Sequence, residues 1–462
     1  MPTSLLAIAA LTLHLAGIAA ALHALMRTRT APGAVAWVLG LVLLPYVTLV
    51  PYLFLGRSHF AGYIELHRSR QPPVGAGAAA APTDSAGSRL AAVTGMLDTT
   101  FRHGQRLRLL VNGEATFAAI LDAIATAKHF VLVQFFVIHD DAIGRQLARA
   151  LTERAAAGVA VCVLYDGIGS HDLPRHYVDA LREAGVAIHP FVTRGWVNRL
   201  QVNFRNHRKV VVVDGRIGFV GGHNVGDEYL GRKPPLSPWR DTHLAIEGPA
   251  VADLQHSFAE DWRWVTGVDP PSSPPPAGDG TAATLIVATG PADRQETCSL
   301  YFVAVIGAAQ RRVWLTTPYF VPDNSVASAL RLAVFRGVDV RVLLPARPDH
   351  RVVFLSSTLH AHDAIGAGIR VFRYQPGFMH QKVLLVDDDI AAVGSMNFDS
   401  RSLRLNFEIG ALNVDRAFAQ DVAAMLAADF AQSREVDVSE YRDAPLRRRV
   451  LMHVARLFDP VL

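Results

Sequence analysis

Two histidine–lysine pairs occur in a chain that is nearly free of lysine. The stretch "NHRKVVVVDGRIGFVGGHN" (206–224) sets His207 two residues before Lys209, with Asp214, Gly221 and Asn224 following. The stretch "FMHQKVLLVDDDIAAVGSMN" (378–397) repeats the arrangement with His380, Lys382, Asp387, Gly394 and Asn397, at a constant offset (380 − 207 = 173). In an extended chain residues i and i+2 face one way, so each imidazole and its ammonium group point to the same side. If the halves pair about a pseudo-two-fold axis, two His, two Lys and two Asn line one cleft. Such a cleft is cationic and rich in donors, which suits a phosphodiester. One neutral imidazole can attack phosphorus while the other, protonated, gives its proton to the leaving alcohol. The lysines and amides stabilise the oxyanions as charge shifts. A phosphohistidine then waits for a second alcohol, and reversed roles release the product.

Lysine usage sharpens this reading. Of 45 basic residues only Lys128, Lys209, Lys233 and Lys382 are lysines. The chain uses Arg wherever positive charge suffices, so lysine at 209 and 382 points to a need for a compact ammonium rather than a planar fork. A histidine cluster also raises the question of a metal. Ammonium is not an ordinary metal ligand, and no His-Glu-x-x-His or cysteine spacing is present, so neither a metal nor a cofactor is expected. The two cysteines, Cys162 and Cys298, offer no disulfide framework.

The elements that must position these residues can be read outward from them. At 462 residues the chain is too long for one ordinary domain. Half of it is hydrophobic, the net charge is +4 and the isoelectric point is near 9.2, which favours anionic partners, either nucleic acid or acidic lipid. Residues 1–70 read as a transmembrane hairpin, with helices over about 4–26 and 34–56; the first apolar run spans roughly 33 Å, enough for a bilayer core. Pro45 and Pro51 make the second span imperfect. Arg57, Arg68 and Arg70 outnumber Arg27 and Arg29, which favours a cytoplasmic body. Residues 71–90 form a low-complexity flexible linker, and a Pro-rich linker at 269–284 divides the remainder into halves of 91–268 and 285–462. Strands alternate with helices in both halves, predicting a mixed α/β sandwich with largely parallel pairing.

Two further stretches bear on a lipid surface. The final segment "RRRVLMHVARLFDPVL" places Val450, Leu451, Val454, Leu457 and Phe458 at helical spacing beside arginines. It reads either as an interfacial amphipathic helix or as a helix packed on its own domain. The loop "TRGWVNRL" (193–200) mixes Trp196 with Arg194 and Arg199, which suits either a lipid entrance or a plain exposed loop.

The duplicated His-x-Lys-x4-Asp-x6-Gly-[Gly/Ser]-x-Asn pattern resembles the phospholipase D superfamily. The stretches "FVGGHNVGDEYLG", "WRDTHLAIEGPAV", "TPYFVPD", "YQPGFMHQK" and "NFDSRSLRLNFE", with the hairpin, resemble the bacterial cardiolipin synthases within it. The resemblance implies two pseudo-symmetric phospholipase D-like α/β domains, with mixed sheets flanked by helices. It implies transfer of a phosphatidyl group between two phosphatidylglycerols, without a metal, in a multi-pass protein of the bacterial inner membrane. His207 is the implied nucleophile and His380 the acid/base. An acidic residue beyond each motif is expected to orient a histidine: Glu408 in the second half and Asp241 in the first, the latter competing with a simple ion pair to Arg240. Asp214 and Asp387 complete the catalytic motif and are expected to hold its backbone. Ser395 and the two Asn add donors, and Gly222 departs from the family's Ser. The alternatives are a different alcohol acceptor, a membrane-anchored phosphodiesterase or nuclease, and a non-catalytic lipid-binding scaffold. The hairpin argues against nucleic acid as the partner, and no basic track interleaved with aromatics suggests strand binding.

Overall fold

The computed structural model describes residues 2–28, 31–56, 63, 88–97, 99–191, 203–293 and 295–462. Most of the expected 71–90 linker and the loop containing Trp196 lie outside the described residues. The chain divides into two compact units, and residues 1–71 belong to the first with residues 192–205. Its helix Pro2–Arg27 contains a stretch, Leu5–Arg27, long and apolar enough to cross a membrane. The single second span expected over 34–56 is instead two shorter helices, Ala31–Leu43 and Pro45–Leu55, broken at Leu44 (φ −135°, ψ 55°). Pro45 is the cause, because it lacks an N–H and drives the residue before it out of the helical region. Thr48 Oγ1 donates to the carbonyls of both Gly40 and Leu44 at 2.8 Å, satisfying acceptors around the break. Gly17 permits the close approach of the first helix, since a Cβ there would lie 2.4 Å from the Leu41 carbonyl oxygen.

The second unit holds two halves of like construction. The first contributes β1 (Arg102–Val111), β2 (Phe130–Phe135), β3 (Ala160–Asp166), β4 (Ala187–Phe191), β5 (Arg205–Asn206), β6 (Val210–Val213), β7 (Ile217–Gly221), β8 (Trp239–Arg240) and β9 (Thr242–Glu247). The second contributes β10 (Ala282–Thr289), β11 (Arg312–Thr316), β12 (Asp339–Pro345), β13 (Arg370–Tyr374), β14 (Phe378–Met379), β15 (Val383–Val386), β16 (Ile390–Gly394), β17 (Asn406–Val414) and β18 (Ser433–Val436). Strand order in the first half is β1-β9-β7-β6-β2-β3-β4, matched by β10-β17-β16-β15-β11-β12-β13 in the second. The expectation of largely parallel pairing is corrected here. Within the large sheet the parallel pairs are β2-β3-β4 and β11-β12-β13, where helices form the crossovers. The motif strands β6 and β7 are joined by a tight turn and so run antiparallel, as do β15 and β16. Strands β1 and β10 pair antiparallel and join the halves.

Burial follows this plan. The valines of β6 and the Val-Leu-Leu-Val of β15 are buried throughout, as strands covered on both faces require. One apolar cluster is shared between halves, joining Val212, Leu244 and Phe258 of the first to Leu385, Ile409 and Leu426 of the second. The start of the first half also needs correction. Leu90, Val93 and Phe101 lie in the core of the second half with Cys298, Phe302 and Leu315, and Arg89 pairs with Asp387 and Asp389. The chain therefore packs on the second half before β1 begins the first.

Candidate active site

Each His-x-Lys triplet sits in extended chain just before its strand, His207 to Lys209 before β6 and His380 to Lys382 before β15. Both triplets are fixed by the opposite half. The His207 N–H donates to the carbonyl of Phe407 (2.9 Å), and the His380 N–H donates to that of Arg240 (2.8 Å). A short parallel pair, Phe378↔Trp239 and Met379↔Arg240, leads into the second contact. This exchange brings each imidazole against a carboxylate from the other half. His207 Nδ1 lies 2.9 Å from Glu408 Oε2, and His380 Nδ1 lies 2.6 Å from Asp241 Oδ2. Glu408 and Asp241 are fully buried, and both histidines are more than nine-tenths buried. The reading of Asp241 as an ion-pair partner of Arg240 is not observed. Arg240 instead makes two 2.8 Å bonds to Asp429.

Electrostatics follow from this burial. Desolvation pushes His207 and His380 down to about 4, against the pull of Glu408 and Asp241, so both are neutral near pH 7. A neutral imidazole that bonds a carboxylate through Nδ1 carries its proton there and leaves Nε2 with a lone pair. Burial opposes ionisation of Glu408, but His207 beside it holds the carboxylate at about 2. Burial lowers Lys382 to about 8 despite the attraction of Asp241 and Glu408, and it lowers Lys209 as well. The same groups act across the halves: Lys382 bears on both His207 and Lys209. Each ammonium donates to the carbonyl of its own histidine, at 2.7 Å for Lys209 and 2.6 Å for Lys382. The pairs differ in one respect. Lys382 Nζ also lies 3.0 Å from His380 Nε2, whereas among the described residues His207 Nε2 has no such neighbour.

The remaining sequence candidates divide into those at the site and those behind it. Asp214 and Asp387 do not join the catalytic side chains. They lie beyond the far ends of β6 and β15, at positive φ (52° and 55°), where their carboxylates accept from the amides of 128–130 and 310–312. They fix the motif's backbone. Asn224 is engaged, its Oδ1 accepting from the Val137 N–H and its Nδ2 donating to Tyr229. Asn397 is buried, and its Oδ1 has no hydrogen-bond partner among the described residues. Ser395 donates to Glu408, which also accepts from Ser402 and Asn406. Gly222 stands where Ser would not fit, because a Cβ there would lie 2.0 Å from Asp241 Oδ1. The shorter carboxylate of Asp241 occupies the space that a serine side chain fills above Glu408.

Sequence reasoning missed a second pair of acids. Asp261 accepts from Gln134, Asn206 and Arg208 at 2.7, 2.8 and 3.0 Å, and Asp429 accepts from Arg240 and Gln381. Arg208 and Gln381 are the middle residues of the two triplets, so each triplet is tied to a helix of its own half, Val251–Thr266 and Arg416–Ala431. The signal was available as a repeated Asp-aromatic step, Asp261-Trp262 and Asp429-Phe430. His223 and His243 were also missed. Both are fully buried, neither has a hydrogen-bond partner among the described residues, and their ring centroids are 5.6 Å apart. Aromatic walls complete the site, with Phe136 at 5.0 Å from the His207 ring and Trp239 at 4.9 Å from His380. Among the described residues no cluster of three or more His, Cys, Asp or Glu is placed to hold a metal ion.

Comparison with known proteins bears on this geometry. Residues 120–262 and 302–430 match the family described as cardiolipin synthase, PLD-like domain, and residues 15–57 match the phospholipase D-nuclease N-terminal family. Cardiolipin synthase A of Pseudomonas aeruginosa is 55% identical over 474 residues, covering 100% of this chain and 97% of its own. Cardiolipin synthase A of Pseudomonas fluorescens is 54% identical, covering 97% of each chain. The phosphatidylserine synthase of Haemophilus influenzae shares the fold, with a TM-score of 0.60 at 14% identity, over 81% of this chain and 100% of that one. The duplicated, exchanged histidine site thus lies in a sequence similar along nearly its whole length to these enzymes, and the chain belongs to the cardiolipin synthase family of phospholipase D-type phosphatidyltransferases.

Proposed function

We propose that the site transfers a phosphatidyl group from one phosphatidylglycerol to a glycerol hydroxyl of a second, giving cardiolipin and free glycerol. The observation that carries this reading is the pair of imidazoles, each held by a carboxylate from the opposite half. Burial keeps both neutral, so the acid acquires its proton as the phosphodiester anion binds between Lys209 and Lys382. His207 Nε2 attacks phosphorus, the bond from phosphorus to the departing glycerol oxygen breaks, and His380 gives that oxygen its proton. The second phosphatidylglycerol then loses a hydroxyl proton to His380. Its oxygen attacks phosphorus and the P–N bond to His207 breaks. The open Nε2 of His207 favours it as nucleophile, while Lys382 beside His380 Nε2 favours proton transfer there. The lysines and Asn397 face the developing oxyanions.

The N-terminal apolar helix and its family match support membrane anchoring. The multi-pass arrangement, in the inner membrane with a cytoplasmic body, is part of this proposal. Incubation of the purified protein with labelled phosphatidylglycerol, without divalent metal, tests the reaction. Cardiolipin with released glycerol is expected. Phosphatidic acid alone would mean hydrolysis, and binding without turnover would mean a scaffold; either result overturns the proposal.

A further inference from the structure

The chain ends in a helix, Leu446–Arg456, that buries only Met452 and Ala455. The helix lies against the helix Arg351–Gly366. The opposite side carries Leu446 (73% exposed), Val450, Leu451, Val454, Leu457 (77%) and Phe458 (50%). At 3.6 residues per turn these fall on one face, centred away from Met452 and Ala455. Six large apolar side chains on one exposed stripe are more than a monomeric surface carries without purpose. Arg447 lies within the stripe and is exposed; Arg448, also exposed, falls on the side of Met452 and Ala455. Three of the nearby acids are already engaged, Asp363 with Arg456, Glu440 with Arg373 and Asp459 with His360, which leaves exposed Asp443 facing Arg447, Arg448 and Arg449 in sequence. The face is therefore apolar with surplus positive charge, which complements an anionic bilayer surface.

Its ends lead to the active site. The carbonyl of Leu462 accepts from the Arg401 N–H at 2.9 Å. Arg401 follows Asn397 by four residues, and its guanidinium feels Asp399, Asp166 and Glu408. At the other edge, Asp349, just before the helix that seats the terminal one, bears on both His380 and Lys382. We infer that the terminal helix Leu446–Arg456, with Leu457 and Phe458, is a second membrane contact that lies on the anionic bilayer surface and holds the catalytic cleft against the headgroups. It resolves the two sequence readings together: one face packs on the domain and the other is left for lipid.

The inference rests on a lipid substrate only for its purpose, and its first test does not use activity. The full chain, reconstituted in vesicles of phosphatidylglycerol and phosphatidylcholine, carries an environment-sensitive fluorophore at Val454→Cys; native Cys162 and Cys298 are buried. Quenching by lipids brominated in the acyl chain is expected for this label and not for one at Asp443→Cys. Equal accessibility of both labels to an aqueous quencher would overturn the inference, as would burial of the label that depends on protein density rather than lipid, which would mean a second copy covers the face. The second test is the double variant Leu451→Glu/Leu457→Glu, at positions 52% and 77% exposed. KM for vesicle phosphatidylglycerol should rise about tenfold, with kcat unchanged on short-chain phosphatidylglycerol dispersed as monomers. Equal loss on both substrates would mean a structural role and overturn the inference.

Discussion

Glu408 of the second half holds His207 of the first at 2.9 Å, while Asp241 of the first holds His380 of the second at 2.6 Å. Neither half can therefore assemble a competent imidazole alone. Glu408 accepts from His207, Ser395, Ser402 and Asn406, four donors that an amide could not all satisfy. Glu408→Gln should free the His207 tautomer and lower kcat by about 10²–10⁴-fold. Losing its charge also removes the attraction that raises His207, so that imidazole should titrate below its present value of about 4. Nitrogen NMR of the labelled histidine reads both effects. A wild-type tautomer with a large rate loss would mean that Glu408 acts on something other than His207.

The roles of the two histidines separate with the leaving group. A phosphatidyl donor whose leaving group is p-nitrophenolate needs no proton to depart. With that donor, His380→Ala should release one equivalent of nitrophenolate and stall, because no base remains to activate the acceptor hydroxyl. The phosphatidyl group should then be recoverable on His207. His207→Ala should give neither burst nor adduct. An adduct on His380 in the His207→Ala protein would reverse the assignment.

Much of this site is legible in the amino-acid sequence, and the reason is chemical. The motif's residues are close in sequence, appear twice at one offset, and include two of only four lysines. Asp241 and Glu408 are legible as orienting acids, but their exchange between halves is not, because it depends on β8–β14 pairing and on the Phe407 carbonyl, which no local spacing encodes. Pro45 announces a weakness in the second apolar run; that it splits the run into two helices follows from the conformation of Leu44. Helix–strand alternation leads to an expectation of parallel pairing because it is a rule about crossovers, and β6–β7 and β15–β16 have none. Leu90 and Phe101 precede the first half in sequence yet pack in the second, an assignment that apolar character alone cannot make.

Proton uptake should accompany substrate binding. Burial holds both imidazoles at about 4 and neutral at pH 7, yet one must be charged to protonate an alkoxide. A bound phosphate anion offsets the desolvation that disfavours the imidazolium. Calorimetric titration with a non-reacting phosphate diester, in buffers of different ionisation enthalpy, should show uptake of about one proton per site near pH 7. Zero uptake would require the acid to be charged beforehand, against the burial observed.

Acid stability should follow the buried histidines. His207, His223 and His380 sit at about 4 in the folded chain, pushed down first by burial, against about 6.5 when unfolded. Their neutral forms favour the fold, so the contribution is complete above pH 6.5 and is lost as pH falls from there through about 4. Each contributes a slope of about 1.4 kcal/mol per pH unit within that window. Burial also pushes His243 well below the usual imidazole value, so four buried histidines contribute. His223→Met copies the residue at the matching position of the second half, Met396, and removes one of those four protons. Urea unfolding between pH 4 and 7 should show a slope shallower by about a quarter for the variant. Identical slopes would mean that His223 is not held neutral by the fold.

The pairing of Gly222 with Asp241, and of Ser395 with Glu408, can be tested by exchange. A serine Cβ at 222 would lie 2.0 Å from Asp241 Oδ1 and 2.8 Å from Oδ2, so Gly222→Ser must displace the carboxylate that holds His380. Gly222 carries no positive φ, so space alone decides the outcome. A misplacement of about 1 Å should lower kcat by about 10²-fold. The longer Glu408 shows the remedy: its extra methylene sets the carboxylate where Ser395 donates to it. The double variant Gly222→Ser/Asp241→Glu rebuilds that arrangement on the first half and should recover at least about tenfold over Gly222→Ser alone, with both proteins equally folded by thermal midpoint. Wild-type kcat in Gly222→Ser would show that the carboxylate moves without cost, and the orienting role assigned to Asp241 would fail with it.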